Sequence, residues 1–526
     1  MIDAIAREGV DFLASRGFQV DQIPSALPAA ELFARIGDYE AIVTRSSTAV
    51  TAEFLGHARR LKILGRAGVG VDNIDVDACS RKGVVVVNAP HGNVVSAAEH
   101  TVGMLLALVR KIPPANDQLK RLAWDRKISG VELFRKTVGV VGLGKVGSRV
   151  AARLKAFEMD VLVYDPYIPE SRARDLGVRL TDLQTLLTRA DVVTVHVPLS
   201  DETEDMIAAR ELALTKPGVR IVNCARGGIV NERDLLAALE SGHVAGAAVD
   251  VWSEEPPVSD VVKRLIAHPH VVVTPHLGAN TEEAQVNVAV DVARQIAAFR
   301  DGEVVEHAVN IPVGDRESLA EQRPFLALGE VLGRFCVQLE RDNVDHVEVV
   351  VAGRVALRDP ELIARAVLKG LLDGVTVQAV NLVNAHLVAR ERGLAVVVRT
   401  DPDAASGYTN LVTVTTQAGE KRKTIAGTVF DGMPRIVRLR DLHIEFIPDG
   451  HILVLSYEDR PGMVGRIGSI LGSHDVNIAS MHVGRSTRRG NAIVVLLLDD
   501  DVAPEVLDEV SKAVDADFSR VIRLAV

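Results

Sequence analysis

The stretch that decides the fold is residues 138–165, VGVVGLGKVGSRVAARLKAFEMDVLVYD. It begins with a short β-branched run that is typical of a buried strand, and it ends with a second such run that stops at Asp165. Between the two runs, Gly142, Gly144 and Gly147 follow the G-x-G-x-x-G spacing, and a helical pattern comes next. Strand, turn, helix, strand and acid in this order predict a dinucleotide-binding unit.

Each conspicuous residue of this stretch has a physical role in such a unit. Gly142 makes the tight turn out of the strand, Gly144 lets a pyrophosphate approach the backbone, and Gly147 lets the helix pack close to the strand. The helix N-terminus offers unpaired N–H groups to the phosphates. Asp165 can bind a ribose 2′-hydroxyl, and the absence of an arginine directly after it favours NAD over NADP.

Composition bounds the class of protein. The 526 residues predict three or four domains, and 48% hydrophobic with 25% charged residues is ordinary for a globular protein. The net charge of -10 argues against a nucleic-acid partner. No uncharged apolar run is long enough for a membrane span, and the first residues lack a signal-peptide pattern. The three cysteines lie far apart, which predicts no disulfide framework, no metal cluster and a cytoplasmic location.

Alternating strand and helix patterns divide the chain into four units. Six strands separated by helices predict a doubly wound parallel sheet, and a helix from 281 to 300 predicts a return of the chain to the first unit. The last unit has the order βαββαβ, which predicts a ferredoxin-like sandwich. We expect a discontinuous substrate domain (1–94 and 278–310), a nucleotide-binding domain (95–277), a mixed α/β domain (313–447) and the sandwich (451–526).

Three polar residues follow the fourth, fifth and sixth strands of the predicted doubly wound sheet, namely Arg226, Glu255 and His276. The carboxyl ends of parallel strands meet at one edge, where ligands bind. An imidazole takes a hydroxyl proton well, a carboxylate orients it, and a guanidinium binds a substrate carboxylate with two hydrogen bonds. The three residues therefore predict hydride transfer at a hydroxyl-bearing carbon.

The sequence leaves rivals for two of these roles. Glu254 competes with Glu255 as the carboxylate, and His268 and His270 compete with His276 as the base. In the segment 65–75, GRAGVGVDNID, two glycines follow a strand end, so free N–H groups there could bind an anion. A plain glycine turn is an equal alternative on this pattern alone.

Several motifs together resemble the D-isomer-specific 2-hydroxyacid dehydrogenases. These motifs are GRAGVGVDNID, NAPHGNVVSAAEH, VGLGKVG, NCARGGIVNE, DVWSEEP and TPHLGA. VNAHLVARERG (383–393) and DRPGMVGRIGSIL (459–471) resemble the intervening domain and the start of the ACT domain in the family's long form. The resemblance covers essentially the whole chain and implies an NAD-binding Rossmann domain inserted in a flavodoxin-like substrate domain.

The resemblance also implies an activity and partners. Family members of this form oxidise 3-phosphoglycerate to 3-phosphohydroxypyruvate with NAD, which is the first committed step of serine synthesis. We therefore expect an enzyme with 3-phosphoglycerate as its substrate, L-serine as an inhibitor and a homotetrameric assembly. Another 2-hydroxyacid substrate, such as glyoxylate or 2-hydroxyglutarate, is an alternative that the long C-terminal region disfavours, as it disfavours a non-enzymatic NAD-sensing corepressor.

Carried over by motif, the resemblance assigns site residues. Arg226, Glu255 and His276 form the catalytic set. The backbone at Val69 and Gly70 is expected to bind the substrate carboxylate. The remaining assignments are Arg45 and Arg126 for the phosphate, Asp459, Gly462 and Asn477 for serine, and, beside the glycines and Asp165 above, Lys145, Val146, Thr203, Cys224, Asp250 and Gly278 for NAD. Family members usually start with a strand that is mostly missing before Asp3, so we expect the first unit to lack it.

Overall fold

The structure is a computed structural model. It describes residues 1–526 except 25–26, 304, 313–315, 340–343, 374, 377–378, 404–406, 488 and 525–526, and for residues 316–317 it describes only the backbone. Within the described residues the strands form four sheets of three, seven, six and four strands.

The first sheet is parallel and small. Its elements are α1 (Arg7–Ser15), α2 (Ala29–Arg35), β1 (Ala41–Thr44), α3 (Ala52–His57), β2 (Ile63–Arg66), α4 (Val76–Lys82) and β3 (Val85–Asn88), with the strands in the order β1-β2-β3. In place of a full first strand, buried Ile2 donates its N–H to Val43 O (2.8 Å) and forms a single parallel bridge with Ile23. The β-branched runs are buried on both faces, as expected of a parallel sheet between helices.

The second sheet forms the doubly wound domain. Its elements are α5 (Val94–Val109), α6 (Ile112–Lys120), β4 (Thr137–Val141), α7 (Lys145–Ala156), β5 (Asp160–Tyr164), α8 (Glu170–Leu176), β6 (Arg179–Leu180), α9 (Leu183–Arg189), β7 (Val192–Val195), α10 (Ala209–Leu214), β8 (Val219–Asn223), α11 (Glu232–Glu240), β9 (Val244–Val249), α12 (Asp260–Ala267) and β10 (Val271–Val273). All strands are parallel, in the order β10-β9-β8-β7-β4-β5-β6.

The prediction of six strands for this sheet was wrong by one. The seventh is β6, which pairs with β5 at the sheet edge and has two residues. A two-residue strand is too short to produce a hydrophobic period. The helix α13 (Glu282–Arg300) then returns the chain to the first sheet, where it packs against α1 and β2.

The third sheet is mixed and belongs to the intervening region. Its elements are α14 (Arg316–Leu339), β11 (His346–Gly353), α15 (Pro360–Leu372), α16 (Ala385–Glu391), β12 (Ala395–Asp401), β13 (Asn410–Ala418), β14 (Lys421–Phe430), β15 (Met433–Leu439) and β16 (Leu442–Phe446). The order is β12-β11-β13-β14-β15-β16, so β12 is an edge strand, parallel to β11. The helices α14 and α15 pack against each other.

The fourth sheet has the predicted βαββαβ order. Its elements are β17 (Gly450–Glu458), α17 (Met463–Ser473), β18 (Ile478–Arg485), β19 (Asn491–Leu498), α18 (Pro504–Ala513) and β20 (Phe518–Leu524). The antiparallel order β18-β19-β17-β20 places both helices on one face, over a core that includes Leu453, Leu455, Ile467, Leu471 and Val510. This is the ferredoxin-like sandwich that the strand and helix patterns predict.

The intervening region is joined to the first sheet's domain by a polar contact at Gly83. Gly83 ends α4 in the left-handed conformation (φ 76°), and its carbonyl accepts a hydrogen bond from Asn381 Nδ2 (2.7 Å). A Cβ at Gly83 would lie 2.8 Å from Asn384 Nδ2. The contact therefore needs glycine both for the backbone conformation and for the close approach.

In the part of the chain that the structure describes, no helix combines the length and apolar character that crossing a bilayer requires.

Candidate active site

The glycine turn after β4 has the geometry of a dinucleotide site. Gly142 adopts φ 91°, and a Cβ at Gly147 would lie 2.0 Å from Gly142 O, so both positions need glycine. A Cβ at Gly144 would meet no protein atom within 4 Å. The space above Gly144 is therefore open, which fits the close approach of a pyrophosphate to the N-terminus of α7 at Lys145 and Val146.

Asp165 is held beside this turn. Its Oδ2 accepts a hydrogen bond from Leu143 N (2.8 Å) and its Oδ1 accepts one from Tyr167 N (3.0 Å). The carboxylate thus lies at the carboxyl end of β5 next to the phosphate-binding turn. This position fits a carboxylate that binds ribose hydroxyls, and so the residues present fit NAD.

Glu255 and His276 are in direct contact. His276 Nδ1 lies 2.7 Å from Glu255 Oε2, and Glu255 Oε1 accepts a hydrogen bond from Trp252 N (3.0 Å). Burial alone would raise the pKa of Glu255, but the hydrogen bonds from His276 and Trp252 outweigh it and the net pKa is lowered. The carboxylate therefore stays ionised and fixes the imidazole with Nε2 pointing away from it.

The rival residues are engaged elsewhere. Glu254 accepts hydrogen bonds from Val258 N (3.1 Å) and Ser259 N (2.6 Å), so its carboxylate stabilises the loop 254–259. The rings of His268 and His270 contact each other at 5.6 Å and lie just before β10, at the opposite end of that strand from His276. Geometry therefore favours Glu255 and His276 over these three.

Asp250 holds the loop that carries His276. Its buried carboxylate accepts hydrogen bonds from Leu277 N (2.8 Å) and Gly278 N (2.9 Å), and also from the Thr274 hydroxyl. His276 itself adopts a left-handed conformation (φ 56°) and donates its N–H to Asp250 O (2.8 Å). Burial would raise the pKa of Asp250, but the hydrogen bonds, led by one from His100, lower it. The sequence placed Asp250 in the cofactor site without revealing this clamp.

Two further residues assigned to NAD line the same edge of the sheet. Thr203 accepts a hydrogen bond from Ser200 N (2.8 Å) and donates to Pro198 O (2.6 Å), so it shapes the loop after β7. Cys224 follows β8, and burial raises the pKa of its thiol to about 12. The thiol is therefore protonated and is a neutral contact, not a nucleophile.

Arg226 reaches from the doubly wound domain to the segment 65–75. Its Nε donates to Asp72 Oδ2 (3.1 Å), and a Cβ at Gly70 would lie 2.1 Å from Arg226 Nη2. The N–H groups of Val69 and Gly70 have no hydrogen-bond partner among the described residues. A guanidinium and two free amides therefore meet in the cleft, which is a suitable place for a carboxylate.

Arg66 belongs to this cleft and was not singled out from the sequence. Burial first, and then the nearby charge of Arg226, lower the pKa of Arg66 to about 10. Its buried Nε has no hydrogen-bond partner in the structure. The sequence contains an indication of this position, because Arg66 is a cation at the last position of the buried strand β2.

The two arginines assigned to the phosphate differ in their surroundings. Arg45 follows β1, and its charge contributes to the lowered pKa of Arg66. The backbone N–H of Arg45 donates to the buried carboxylate of Asp3 (2.7 Å). Arg126 is exposed in the segment after α6, next to Trp124, which is 80% exposed. No hydrogen bond or ion pair links Arg126 to the cleft within the described residues of this chain.

The residues assigned to serine are also separated within one chain. Asp459 pairs with Arg485 (3.2 Å) beside Gly462, which precedes α17, whereas Asn477 donates to Asp499 (2.6 Å). Residue 458 pairs with 491 while 478 pairs with 498, so Asp459 and Asn477 lie at opposite ends of the sheet. At about 3.3 Å per residue, roughly 25 Å of strand separates them.

The described residues contain no group of three or more histidine, cysteine, aspartate or glutamate side chains arranged to bind a metal ion.

Comparison with protein families finds matches along most of the chain. Residues 102–278 match the D-isomer specific 2-hydroxyacid dehydrogenase NAD binding domain. Residues 321–440 match the D-3-phosphoglycerate dehydrogenase intervening domain, and residues 451–515 match the ACT domain. The class that the fold and the site define is thus a D-isomer-specific 2-hydroxyacid dehydrogenase with an NAD-binding domain.

Curated relatives identify the family within this class of dehydrogenases. The D-3-phosphoglycerate dehydrogenase of Archaeoglobus fulgidus is 42% identical over 97% of this chain and 97% of its own length. That of Synechocystis is 43% identical over 97% of this chain and 92% of its own length. The Bacillus subtilis enzyme is 41% identical over 91% and 90%. The chain belongs to the D-3-phosphoglycerate dehydrogenase family.

Solved structures resemble the catalytic part. The D-lactate dehydrogenase of Aquifex aeolicus, complexed with NAD and lactic acid, is 31% identical, covers 57% of this chain and 95% of its own, and superposes with a TM-score of 0.51. The apo D-lactate dehydrogenase of Escherichia coli is 27% identical, covers 59% of this chain and 98% of its own, and superposes with a TM-score of 0.53. The remaining part of this chain therefore carries the intervening and ACT domains.

Proposed function

We propose that this protein oxidises 3-phospho-D-glycerate to 3-phosphohydroxypyruvate with NAD, as the first committed step of serine synthesis. The observation that carries the proposal is the contact of His276 with Glu255 at one edge of the NAD-binding sheet, facing a cleft that also contains Arg226. Relatives named for this reaction match over nearly the full length, including both C-terminal domains.

The proton is handled by His276 and Glu255. Because Nδ1 of His276 faces the carboxylate of Glu255, Nε2 is free to accept the proton of the substrate hydroxyl. NAD supplies the hydride acceptor when it is bound. Glu255 stabilises the imidazolium that forms, since a carboxylate favours the charged form of its neighbour. In the reverse reaction the same ring returns the proton.

The substrate carboxylate is held by Arg226 and by the free N–H groups of Val69 and Gly70. The planar guanidinium matches the two carboxylate oxygens and polarises the oxygen at the reacting carbon. Arg45 and Arg66 line the same cleft and supply positive charge for the phosphate. Arg126 makes no hydrogen bond or ion pair with this cleft among the described residues, so we assign it to the cleft of a neighbouring subunit in a homotetramer.

We extend the proposal to L-serine as an inhibitor that binds the ACT domain. The free N-terminus of α17 beside Gly462 suits an α-carboxylate, and Asp459 suits an α-ammonium. Because Asn477 lies at the other end of the sheet, it completes the site only on a second copy of the domain. Serine binding therefore depends on the assembly of subunits.

A direct assay tests the catalytic proposal. NADH consumption is followed with 3-phosphohydroxypyruvate, 2-oxoglutarate and glyoxylate as oxidants. We expect 3-phosphohydroxypyruvate to have the highest kcat/KM, because it alone pairs a phosphate with the cations of the cleft. A higher kcat/KM for glyoxylate or 2-oxoglutarate would refute the substrate assignment.

A further inference from the structure

The intervening domain contains a cavity of about 330 Å³ that the catalytic site does not use. It lies between α15, α16 and the edge strand β12. Its lining residues are Glu361, Ala364, Arg365, Leu368, His386, Arg390, Leu394, Val396 and Val398. A volume of this size accommodates a small metabolite.

Helix and strand periods direct the lining side chains into one space. Arg365 lies four residues after Glu361 on α15, and Arg390 lies four residues after His386 on α16, so each pair shares a helix face. Val396 and Val398, with Leu368 and Leu394, provide apolar walls. The cavity thus combines an apolar body with a polar, mainly cationic end.

The polar groups of this cavity have few partners among the described residues. Among the described residues Arg365 donates only one long hydrogen bond, to Leu382 O (3.4 Å), and Arg390 makes no ion pair. Nδ1 of His386 is buried without a hydrogen bond. A buried polar atom without a partner is costly. The lining itself contains two guanidinium groups and one carboxylate, that of Glu361, and the carboxylate of Asp359 also acts on Arg365 from the N-terminus of α15.

The electrostatics of His386 agree with a mainly cationic lining. Burial first, and then the charge of Arg365, lower the pKa of His386, although a backbone hydrogen bond with Val383 acts in the opposite direction. The charged groups of the lining are Arg365, Glu361 and Arg390, and Asp359 at the start of α15 also acts on Arg365. The strand β12 contributes Val396 and Val398 to the lining. An anion bound among these charged groups would offset the repulsion and raise the pKa of His386.

We propose that this cavity binds a small organic anion, with a carboxylate or phosphate head on Arg365 and Arg390 and a short branched apolar body against Leu368, Leu394 and Val396. Both heads are planar or tetrahedral oxyanions that a guanidinium binds with two hydrogen bonds. The site is distinct from the catalytic cleft and from the serine site, since it shares no residue with either.

Calorimetry on the full chain tests the proposal with two probes that share one apolar body. 3-Methylbutanoate carries the carboxylate head and isobutyl phosphate carries the phosphate head. We expect at least one of them to bind at millimolar concentrations, and Arg365→Met to weaken that binding by at least roughly tenfold. The preferred probe identifies the head group.

Matched variants keep the result decisive. Arg365 is half-buried, so Arg390→Met at an exposed position gives a second test that leaves the core unchanged, and it is expected to weaken binding likewise. Arg323→Met, an exposed arginine on α14 outside the cavity, serves as the control and should bind like the wild type. Binding of neither probe, or equal affinity in the wild type and in both cavity variants, would overturn the proposal.

Discussion

Arg226 and Asp72 form an ion pair of 3.1 Å across the cleft, although 154 positions separate them in the chain. Arg226 follows a strand of the NAD-binding domain, whereas Asp72 lies in the glycine-rich segment of the substrate domain. The pair holds the guanidinium over Gly70 and its free N–H groups before any substrate arrives. A substrate carboxylate therefore meets a donor set that is already in position.

Arg226→Lys tests the planar contact. An ammonium keeps the charge but cannot form two parallel hydrogen bonds with a carboxylate. The loss of one charge-assisted hydrogen bond, about 1.5–3 kcal/mol, predicts a kcat/KM that is roughly 10- to 150-fold lower. Steady-state kinetics with 3-phosphohydroxypyruvate measures it, with Arg233→Lys on the exposed face of α11 as the control. Retention of most of the kcat/KM would remove Arg226 from substrate binding.

Glu255→Gln and Glu254→Gln form a matched pair. Glu255 contacts His276 and stays ionised because its pKa is lowered, while Glu254 only stabilises the loop 254–259. We expect Glu255→Gln to lower kcat by roughly 10- to 150-fold, and Glu254→Gln to change it little. Kinetics with 3-phosphoglycerate and NAD measure both variants. An equal kcat in Glu255→Gln and Glu254→Gln would contradict the role of Glu255.

His276→Ala removes the proposed base itself. A positioned acid–base group contributes roughly two to four decades, so kcat should fall by that amount. The affinity for NAD, measured by fluorescence titration, should change little, because the dinucleotide turn and Asp165 lie on other strands. Near-normal turnover would exclude His276 from the mechanism.

Asp250→Asn tests the clamp on the His276 loop. Both carboxylate oxygens of Asp250 accept hydrogen bonds from backbone N–H groups, whereas the NH2 group of an asparagine cannot accept one. We therefore expect a lower melting temperature and a lower kcat. Because the folded pKa of Asp250 is lowered, its stabilisation is present above the unfolded value of about 3.9 and is lost as pH falls through the folded value.

Thermal melts follow this pH dependence directly. The difference in melting temperature between the wild type and Asp250→Asn should be full near neutral pH and should shrink below about pH 4. Asp201→Asn, an exposed position with no hydrogen bond among those the structure gives, serves as the control. A difference that is constant across this range would show that the ionised carboxylate does not act as a clamp.

Serine inhibition is tested at Asn477. Allosteric coupling is typically about 1–3 kcal/mol, so serine should lower activity or substrate affinity by about 5- to 150-fold. Asn477→Ala should weaken this inhibition and leave uninhibited activity intact, while Glu505→Gln on α18 should leave both unchanged. An unchanged rate of the wild type in millimolar serine, with no heat of binding, would refute the effector assignment.

The sequence predicted those features that depend on local spacing and on strand order. The turn at Gly142, Gly144 and Gly147 follows from the motif. The meeting of Glu255 with His276 follows from the rule that parallel strands end at one edge. Contacts that depend on how one loop lies against another domain were not predictable in this way, and Asp72 and Arg66 are the clearest cases.

The order of elements in the ACT domain determines where the residues assigned to serine lie. In a βαββαβ sandwich the first two strands run in the same direction, so the end of β17 and the start of β18 must lie at opposite ends of the sheet. The separation of Asp459 from Asn477 follows from that order alone. By contrast, the cavity around Arg365 arises from three elements whose packing no local pattern reveals.

The hydrogen bond from Asn381 to Gly83 couples the orientation of α4 to that of the intervening domain. A domain attached only through a linker turns freely on it, but the intervening domain is also bonded to Gly83, which directly follows this seven-residue helix. The other end of the helix begins at Asp75, where the segment with Val69 and Gly70 ends. A turn of the intervening domain that keeps this hydrogen bond therefore tilts the surface on which the substrate carboxylate would rest.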